Sequence, residues 1–195
     1  MGCRIVGCGK ALPRRAVTND ELSTIVDTDD EWIRTRTGIR TRHVAVGESA
    51  TDLAASAGAR ALSHAGIGAD EIDLIVCMTI TPDAVIPSQA CLVKARLGLS
   101  RAVAFDLNAA CTGCIYGIEV ASSMLEASAA DAARASRRAG RTTRNRMRRA
   151  LVVGVDVLSR IVDWSDRATC VLFGDGAGAV VLEWDDDAPG VMASV

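Results

Sequence analysis

The chain has 195 residues, of which 49% are hydrophobic and only 3% aromatic, and its mean hydropathy is +0.22. Such a chain can bury a core of its own, built mainly from Ala, Val, Ile and Leu. No apolar run approaches the ~20 residues that span a membrane, and the apolar part of the N-terminus is shorter than a secretory signal is expected to be. Seven cysteines, an odd number, favour free thiols and a cytoplasmic location over a disulfide framework.

The net charge of −2 is unevenly distributed along the chain. Eight arginines crowd into a stretch without an acidic residue: Arg134, Arg137, Arg138, Arg141, Arg144, Arg146, Arg148 and Arg149. For the surrounding residues 127–149 three interpretations stay open: a solvated or disordered loop, a basic patch that docks an acidic partner, and a sequence artefact. No aromatic residue interleaves these arginines to stack on bases, so we expect no nucleic-acid partner.

Strand-like and helix-like segments alternate along the first half of the chain. In order, the pattern predicts a strand at 4–8, a helix from Asn19 or Asp20 to Val26, a helix that begins at the capping-box spacing Thr28–Glu31 and ends at Gly38, a helix at 49–65 and a buried strand at 72–78. Pro87 is predicted to begin the next helix, which closes at Leu97 and Gly98.

The second half continues the alternation. Strands are predicted at 102–107, 150–155, 169–173 and 177–184, with a helix after the first of them, a Gly-Asp-Gly turn between the last two and another strand starting at Gly190. Strands alternating with helices predict an α/β fold with a mostly parallel sheet flanked by helices. Because the chain stops inside a strand pattern, we expect it to be incomplete.

Cys111 lies between the strand-like run 102–107 and a helix-like run in which Ile115 and Ile118 recur at helical spacing. A helix N-terminus favours negative charge, and the thiolate is the nucleophilic form of cysteine. Small neighbours leave room for an electrophile. This local pattern predicts a nucleophile on an elbow, although a buried structural cysteine is an alternative.

Cys111 and Cys114 also form a C-x-x-C pair, which is found in redox dithiols and in halves of zinc sites. The chain has no second C-x-x-C, and neither histidine stands at a familiar ligand spacing, so we expect no metal site. A redox dithiol stays open as an alternative.

Four blocks of sequence resemble β-ketoacyl-acyl-carrier-protein synthase III and follow one another in the order seen in that family. They are VDTDDEWIRTRTGIRTRH (Val26–His43), FDLNAACTG (Phe105–Gly113), LVVGVDVLSR (Leu151–Arg160) and DRATCVLFGDGAGAVVL (Asp166–Leu182). The resemblance implies a thiolase-like fold of which residues 1–195 form the N-terminal half, with an Arg-rich insertion at about 130–146 and a missing C-terminal half.

The resemblance also implies a reaction and a set of site residues. Cys111 would take an acetyl or short branched acyl group from acyl-CoA, and malonyl-acyl carrier protein would then condense with it to start fatty-acid synthesis. By the same resemblance Trp32 and Arg167 would sandwich the CoA adenine, Thr28 would contact its edge, and Arg36 would meet a phosphate. Ile86 would limit the acyl pocket of a partner subunit in a homodimer.

Departures from the family are as informative as the matches. The family's catalytic His and Asn lie in its second half and have no counterpart here, so we expect this chain alone not to condense malonyl groups. Cys114 stands where the family usually has an aromatic residue, which alters pocket packing or allows a disulfide. Two alternative functions stay open: a polyketide starter-unit synthase, and a non-catalytic half that acts as an interaction subunit. No cofactor is expected, since acyl-CoA is a substrate.

Overall fold

The computed structural model describes residues 2–137, 146–187 and 189–190. Its strands are β1 (Gly2–Ala11), β2 (Arg15–Thr18), β3 (Thr41–Val44), β4 (Leu74–Met78), β5 (Val103–Leu107), β6 (Arg149–Val157) and β7 (Asp175–Asp185). The α-helices are α1 (Asn19–Leu22), α2 (Asp30–Thr37), α3 (Ala50–Ala65), α4 (Gln89–Leu97), α5 (Gly113–Arg137) and α6 (Arg167–Cys170). Short 3₁₀ turns cover Ala69–Glu71, Ala110–Thr112 and Leu158–Arg160.

The main sheet has five strands in the order β1-β7-β6-β4-β5, and β2 and β3 form a separate antiparallel pair. Strand β4 runs parallel to both β5 and β6, whereas β7 is antiparallel to its neighbours β1 and β6. The sheet is therefore mixed, with its parallel part at the end that leads to Cys111. The predicted α/β class, a sheet flanked by helices, is confirmed.

Helices cover both faces of this sheet. Helices α3 and α4 pack on one face against side chains such as Ile75, Leu151 and Val153, all fully buried. Helix α5 packs on the opposite face, where Leu125 meets Leu74 and neighbouring apolar residues. Every residue of β4 is buried, which explains why its sequence is continuously apolar rather than alternating.

Helix α3 lies very close to the edge strand β1 because two glycines of that strand face it. A Cβ atom built on Gly9 would come within 2.6 Å of the Ala61 backbone nitrogen. Gly7 meets the same helix one turn further on, where an added Cβ would lie 2.9 Å from the Ala65 nitrogen. Both obstacles are backbone atoms, so a side chain at either glycine requires the helix to move.

The strand predicted at 169–173 is wrong. The structure has the short helix α6 there, and Asp166 starts it by accepting hydrogen bonds from Ala168 N (2.9 Å) and Thr169 Oγ1 (2.6 Å). Its last residue, Cys170, is buried with Leu22 and neighbouring apolar side chains in a third small cluster. The apolar run is real, but it covers α1 and α2 instead of joining the sheet.

The Arg-rich region is only in part the loop that its composition predicts. Helix α5 continues to Arg137, because the alanine-rich sequence before it has high helix propensity and extends a helix already anchored on the sheet. The chain returns alongside that helix, where Met147 N donates to Ser128 Oγ at 2.8 Å. Residues 138–145 of the predicted insertion lie outside the described residues, as do residues 191–195 of the strand expected to start at Gly190.

Several predicted element boundaries also differ. The helix predicted from 19 to 26 ends at Leu22, after a capping box between Thr18 and Glu21. Helix α2 is capped by Asp29, whose side chain accepts from Trp32 N at 2.6 Å, and not by Thr28. Helix α4 begins after Ser88 rather than at Pro87. The β2–β3 pair was not predicted, because its strands are only four residues long.

Within the described ranges 2–137, 146–187 and 189–190, no helix combines the length and the apolar character that crossing a membrane requires.

A single methyl group on Gly9 should test the close approach of α3 to β1. We expect Gly9→Ala to lower the free energy of unfolding by about 1–3 kcal/mol or more, since the helix must move away from the strand. The measurement is a urea titration followed by far-UV circular dichroism.

Gly178→Ala is the matched control for this prediction. Gly178 lies opposite Lys10 in the same strand pair, and a Cβ added there meets nothing within 4 Å. Its urea midpoint should stay near that of the wild type. If Gly9→Ala and Gly178→Ala lower the free energy of unfolding equally, the close approach of α3 to β1 is not the cause.

Candidate active site

Cys111 lies at a sharp change of direction between β5 and α5. The 3₁₀ turn Ala110–Thr112 makes this bend, and Ala110 has a φ of +45°, a region that costs a residue with a Cβ roughly 1–3 kcal/mol. Thr112 stabilises the bend by donating from both N (3.2 Å) and Oγ1 (2.7 Å) to the Ala109 carbonyl. The Cys111 side chain is exposed at the start of the helical segment, so the predicted elbow is confirmed.

Helix α5 is pressed against β4 at its first turns, and this contact sets the height of Cys111 above the sheet. A Cβ on Gly113 would lie 3.0 Å from the Met78 Cβ, and a Cβ on Gly117 would lie 3.1 Å from the Val152 Cγ1. The two glycines are four residues apart and therefore share one face of the helix. Larger residues at these positions would lift the helix, and Cys111 with it, from the sheet.

A cavity of about 530 Å³ lies beside Cys111. Its floor is the sheet face on which α5 packs, at a place beyond the start of that helix. Here the paired positions Gly178 and Gly154 leave space, whereas under α5 the same face carries the bulky Trp184 and Leu182. The cavity is lined by Cys8, Gly9, Met78, Ala110, Cys111, Cys114, Val152, Gly154, Val155, Asp156, Gly174, Gly176, Gly178, Ala179 and Val180.

Two carboxylates that sequence reasoning missed organise the backbone around this cavity. Asp156, at the end of β6, lines the cavity, and its Oδ1 accepts from Thr79 Oγ1 (3.0 Å), Ile80 N (2.9 Å) and Thr81 Oγ1 (3.0 Å). It thereby ties the loop after β4 to β6. The available signal was an acidic residue near the end of the apolar run ALVVGVDV.

The second carboxylate, Asp175, is buried at the start of β7. It accepts hydrogen bonds from Ala45 N (2.7 Å) and from Ser159 N (2.8 Å) and Oγ (2.6 Å). The glycines on either side of it, Gly174 and Gly176, line the cavity. The predicted Gly-rich turn therefore lies beside the cysteine, with Asp175 fixing the loops that support it.

Ile86 belongs to a loop that is held at its base and exposed at its tip. Asp83 fixes the base by accepting hydrogen bonds from Thr51 Oγ1 (2.7 Å) and from the Thr51 and Ala50 backbone nitrogens (2.7 and 3.0 Å) at the start of α3. Ile86 is 87% exposed and does not line the cavity. Its predicted role in a partner's acyl pocket therefore stays a prediction.

Asp83 has an unusually acidic carboxyl group for physical reasons. Burial raises its pKa, but the hydrogen bonds from Thr51 and Ala50 and from Arg160 outweigh this and lower the pKa to about 2. The Arg160 Nη1 lies 3.0 Å from Asp83 Oδ1. The charged form of Asp83 is thus the one that the folded chain stabilises.

Residues predicted to contact CoA form a separate cluster on α2 and α6. The guanidinium carbons of Arg167 and Arg36 lie 4.2 and 4.5 Å from the centre of the Trp32 ring. Trp32 is half-buried, against the small core around Ile33. The Arg167 guanidinium lies directly on the indole, so a base stacked between the two would have to displace it.

No group of three or more His, Cys, Asp or Glu side chains in the described part of the chain is arranged to hold a metal ion. His43 and His64 are both engaged with backbone: His43 Nδ1 lies 2.7 Å from the Pro13 carbonyl, and His64 Nδ1 accepts from Cys8 N at 3.1 Å.

A mixed five-stranded sheet covered on both faces, with a cysteine at the elbow after its edge strand, defines the class: an α/β protein of the thiolase-like type. Comparison with known proteins gives the family. The family model described as 3-oxoacyl-[acyl-carrier-protein (ACP)] synthase III matches residues 139–195. A β-ketoacyl-[acyl-carrier-protein] synthase III of Xanthomonas campestris pv. campestris is 50% identical over 192 residues, which are 98% of this chain and 54% of that protein.

Solved structures agree with the sequence comparison. The 3-oxoacyl-[acyl-carrier-protein] synthase III of Aquifex aeolicus VF5 matches with a TM-score of 0.84 and 44% identity, over 95% of this chain and 55% of that one. The priming β-ketosynthase of the R1128 polyketide pathway matches with a TM-score of 0.82 and 35% identity, over 95% of this chain and 51% of that one.

The predicted resemblance is thus confirmed: the chain is of the β-ketoacyl-acyl-carrier-protein synthase III family and corresponds to its N-terminal part. It spans about half the length of the curated relatives it matches.

Asp83 provides a pH test of how the Ile86 loop is anchored. Because its folded pKa of about 2 lies below the ordinary value of about 3.9, its contribution to stability is present above about pH 4 and is lost as the pH falls toward 2. We expect Asp83→Asn to lower the free energy of unfolding by about 1–3 kcal/mol at pH 7. In urea titrations between pH 7 and 3, the difference in free energy of unfolding between Asp83→Asn and the wild type should become smaller as the pH falls.

Asp70→Asn is the control, since Asp70 is an exposed carboxylate in the 3₁₀ turn after α3. Its urea midpoint should match that of the wild type at pH 7. If the difference in free energy of unfolding between Asp83→Asn and the wild type stays constant down to pH 3, the charge of Asp83 does not anchor the loop.

Proposed function

We propose that this protein works as a β-ketoacyl-acyl-carrier-protein synthase III, with Cys111 as the nucleophile that accepts an acyl group from acyl-CoA. The observation that carries the proposal is the exposed Cys111 thiol on a strained helix entry, beside a cavity of about 530 Å³. Backbone strain next to a nucleophile is typical of functional sites, because an ordinary packing residue would not need it.

The chemistry follows from a thiolate at that position. The Cys111 sulfur attacks the acyl-CoA carbonyl, a new C–S bond forms, and the CoA thiolate leaves. Malonyl-acyl carrier protein then loses CO₂, and its carbanion attacks the Cys111 thioester, which releases the cysteine and gives a β-ketoacyl product. We propose that residues 1–195 supply the N-terminal half of this enzyme, and that the residues stabilising the carbanion belong to the other half.

Unpartnered polar atoms support CoA binding at the Trp32 cluster. Among the described residues, Thr28 Oγ1 and Arg167 Nε are two of only five buried side-chain polar atoms without a hydrogen-bond partner. Buried polar atoms nearly always have a hydrogen-bond partner, so a buried polar atom without one indicates a position where a ligand or a water molecule binds. Both atoms belong to residues that the resemblance assigns to CoA, and the exposed Arg36 stands beside them.

The exposed loop that carries Ile86 supports a homodimer. Val85 and Ile86 are 89% and 87% exposed although both are apolar, which suits side chains that insert into a neighbouring subunit. In this proposal Ile86 limits the partner's acyl pocket, and a mid-sized aliphatic residue there admits short branched as well as acetyl groups. Acyl carrier protein is the second proposed partner, and the cytoplasm the proposed location.

A polyketide starter synthase is the second candidate function. It is favoured by the 35% identity to the R1128 priming ketosynthase, whose fold matches almost the whole chain. The acyl-transfer step at Cys111 would be the same in both cases. The third alternative, a non-catalytic half that uses its arginines as an interaction surface, gains no support, because residues 138–145 in the middle of that segment lie outside the described residues.

Acylation of Cys111 can be measured directly. Incubation with acetyl-CoA or isobutyryl-CoA should add one acyl group to the intact protein, because the thiol exchanges with the thioester of CoA. The adduct should lie in the tryptic peptide 102–134, which contains Cys111 and Cys114 but no lysine or arginine before its end. Mass spectrometry of the intact protein and of this peptide provides the readout.

Cys111→Ser should abolish the adduct, whereas Cys91→Ser should keep it at the wild-type level. Cys91 is the matched control because it is also an exposed free thiol at the start of a helix, on α4, but does not line the cavity. An adduct that persists in Cys111→Ser would remove the proposed nucleophile.

The adenine end of CoA is tested by binding. We expect Trp32→Ala and Arg167→Ala each to weaken CoA binding by about 5–30-fold, the equivalent of about 1–2 kcal/mol for a stacked cation and indole. Isothermal titration calorimetry with CoA gives the dissociation constants. Arg34→Ala serves as control: Arg34 lies on the same helix but pairs with Asp30 at 3.4 Å, and its loss should leave CoA affinity unchanged. Unchanged affinity in all three variants would exclude the cluster as the CoA site.

A further inference from the structure

Cys114 is an exposed thiol for which the proposed acyl transfer has no use. It lies in the first turn of α5, three residues after Cys111, and both side chains line the same cavity. Buried cysteines are common as small apolar residues, but an exposed pair on one cavity wall is not explained by packing. The pair is therefore a candidate for chemistry of its own.

The local backbone brings the two thiols onto one side of the helix entry. Cys111 lies in a 3₁₀ turn, closed by the hydrogen bond from Thr112 N to the Ala109 carbonyl at 3.2 Å. Cys114 follows two residues after this turn, in the first turn of α5, and side chains three residues apart along a helix lie on the same face. Gly113, between the cysteines, is buried against Met78 and leaves this side of the turn to the two sulfurs.

A third thiol, Cys8, lines the cavity from the sheet side, but it is engaged elsewhere. Its Sγ lies 3.4 Å from His64 Nδ1, the atom that also accepts the Cys8 backbone N–H. Cys8 is on the edge strand β1, and its thiol is already in contact with a side chain of α3. Of the two thiols that share the cavity with Cys111, Cys114 is the better placed partner.

We propose that Cys114 is a resolving cysteine, which converts an oxidised Cys111 into a reversible Cys111–Cys114 disulfide. The oxidant is a hydroperoxide, with hydrogen peroxide as the simplest case. The Cys111 thiolate attacks one peroxide oxygen, the O–O bond breaks, and sulfenic acid and hydroxide form. The Cys114 sulfur then attacks the sulfenic sulfur, an S–S bond replaces the S–O bond, and the leaving hydroxide takes the Cys114 proton to become water.

Overall, two thiols and one hydroperoxide give one disulfide, one water and one further product. That further product is a second water when the oxidant is hydrogen peroxide and an alcohol when it is an organic hydroperoxide. A sulfenic acid without a neighbouring thiol proceeds to sulfinic and sulfonic acids, which ordinary thiols do not reverse. The disulfide, in contrast, is opened by thiol exchange. The pair thus protects the cavity thiol from permanent loss. This proposal concerns the two thiols alone and does not depend on acyl transfer.

The test is oxidation of the purified protein with a small excess of hydrogen peroxide, followed by alkylation and mass spectrometry of the tryptic peptide 102–134. Both cysteines lie in this one peptide, so their disulfide appears as a loss of two hydrogens and as protection of both from alkylation. We expect this species to dominate in the wild type and to disappear after dithiothreitol. Sulfinic Cys111 with a reduced Cys114 would overturn the proposal.

Variants identify the resolving thiol. In Cys114→Ser the irreversibly oxidised fraction of Cys111 should rise by about tenfold, because the sulfenic acid has no thiol beside it. Cys8→Ser and the control Cys91→Ser should form the disulfide as the wild type does. A Cys111–Cys8 disulfide, found as a cross-link between two peptides, would assign the role to Cys8 instead. Thermal melts of all variants by circular dichroism show that the comparison is made on folded protein.

Discussion

The contact of helix α5 with strand β4 is the constraint on which the candidate site depends. Gly113 and Gly117 face Met78, and the absence of side chains lets the helix lie directly on the sheet. This close approach brings the helix entry, with Cys111, down to the level of the strand ends. Beyond that entry the same sheet face carries glycines, and the space they leave is the cavity. Small residues thus create both the position of Cys111 and the space in front of it.

Polar groups then hold the irregular parts in place. Three carboxylates each accept several hydrogen bonds: Asp156 holds the loop after β4, Asp175 holds the segments near Ala45 and Ser159, and Asp83 holds the base of the Ile86 loop. Hydrogen bonds to charged groups are stronger than neutral ones, because the acceptor carries a full charge. Rigid loops suit a site in which a thiol must meet an electrophile at a fixed distance.

Prediction from the sequence succeeded where a local pattern decides the structure and failed where a distant contact does. A strand covered on both faces was predicted at 72–78, and the structure confirms it at Leu74–Met78, where every position is apolar and buried. The run 169–173 is also largely apolar, but it forms the end of α6 and the turn after it, because the Asp166 cap and burial with Leu22 outweigh its strand propensity. Composition alone predicted a loop after Ala127, but α5 continues there as a helix anchored far upstream.

The sequence by itself determined the fold class, the elbow at Cys111 and the family, because each depends on residue types at fixed spacing in short blocks. The tertiary structure alone decided what surrounds the elbow. Asp156 and Asp175 are far from Cys111 in the chain, and only the pairing of β6 with β7 brings Asp156 to the cavity wall and places Asp175 between two glycines that line it. The stacking of Arg167 on Trp32 likewise joins α6 to α2. Spacing along a chain cannot encode such contacts, because they arise from which strands pair and which faces pack.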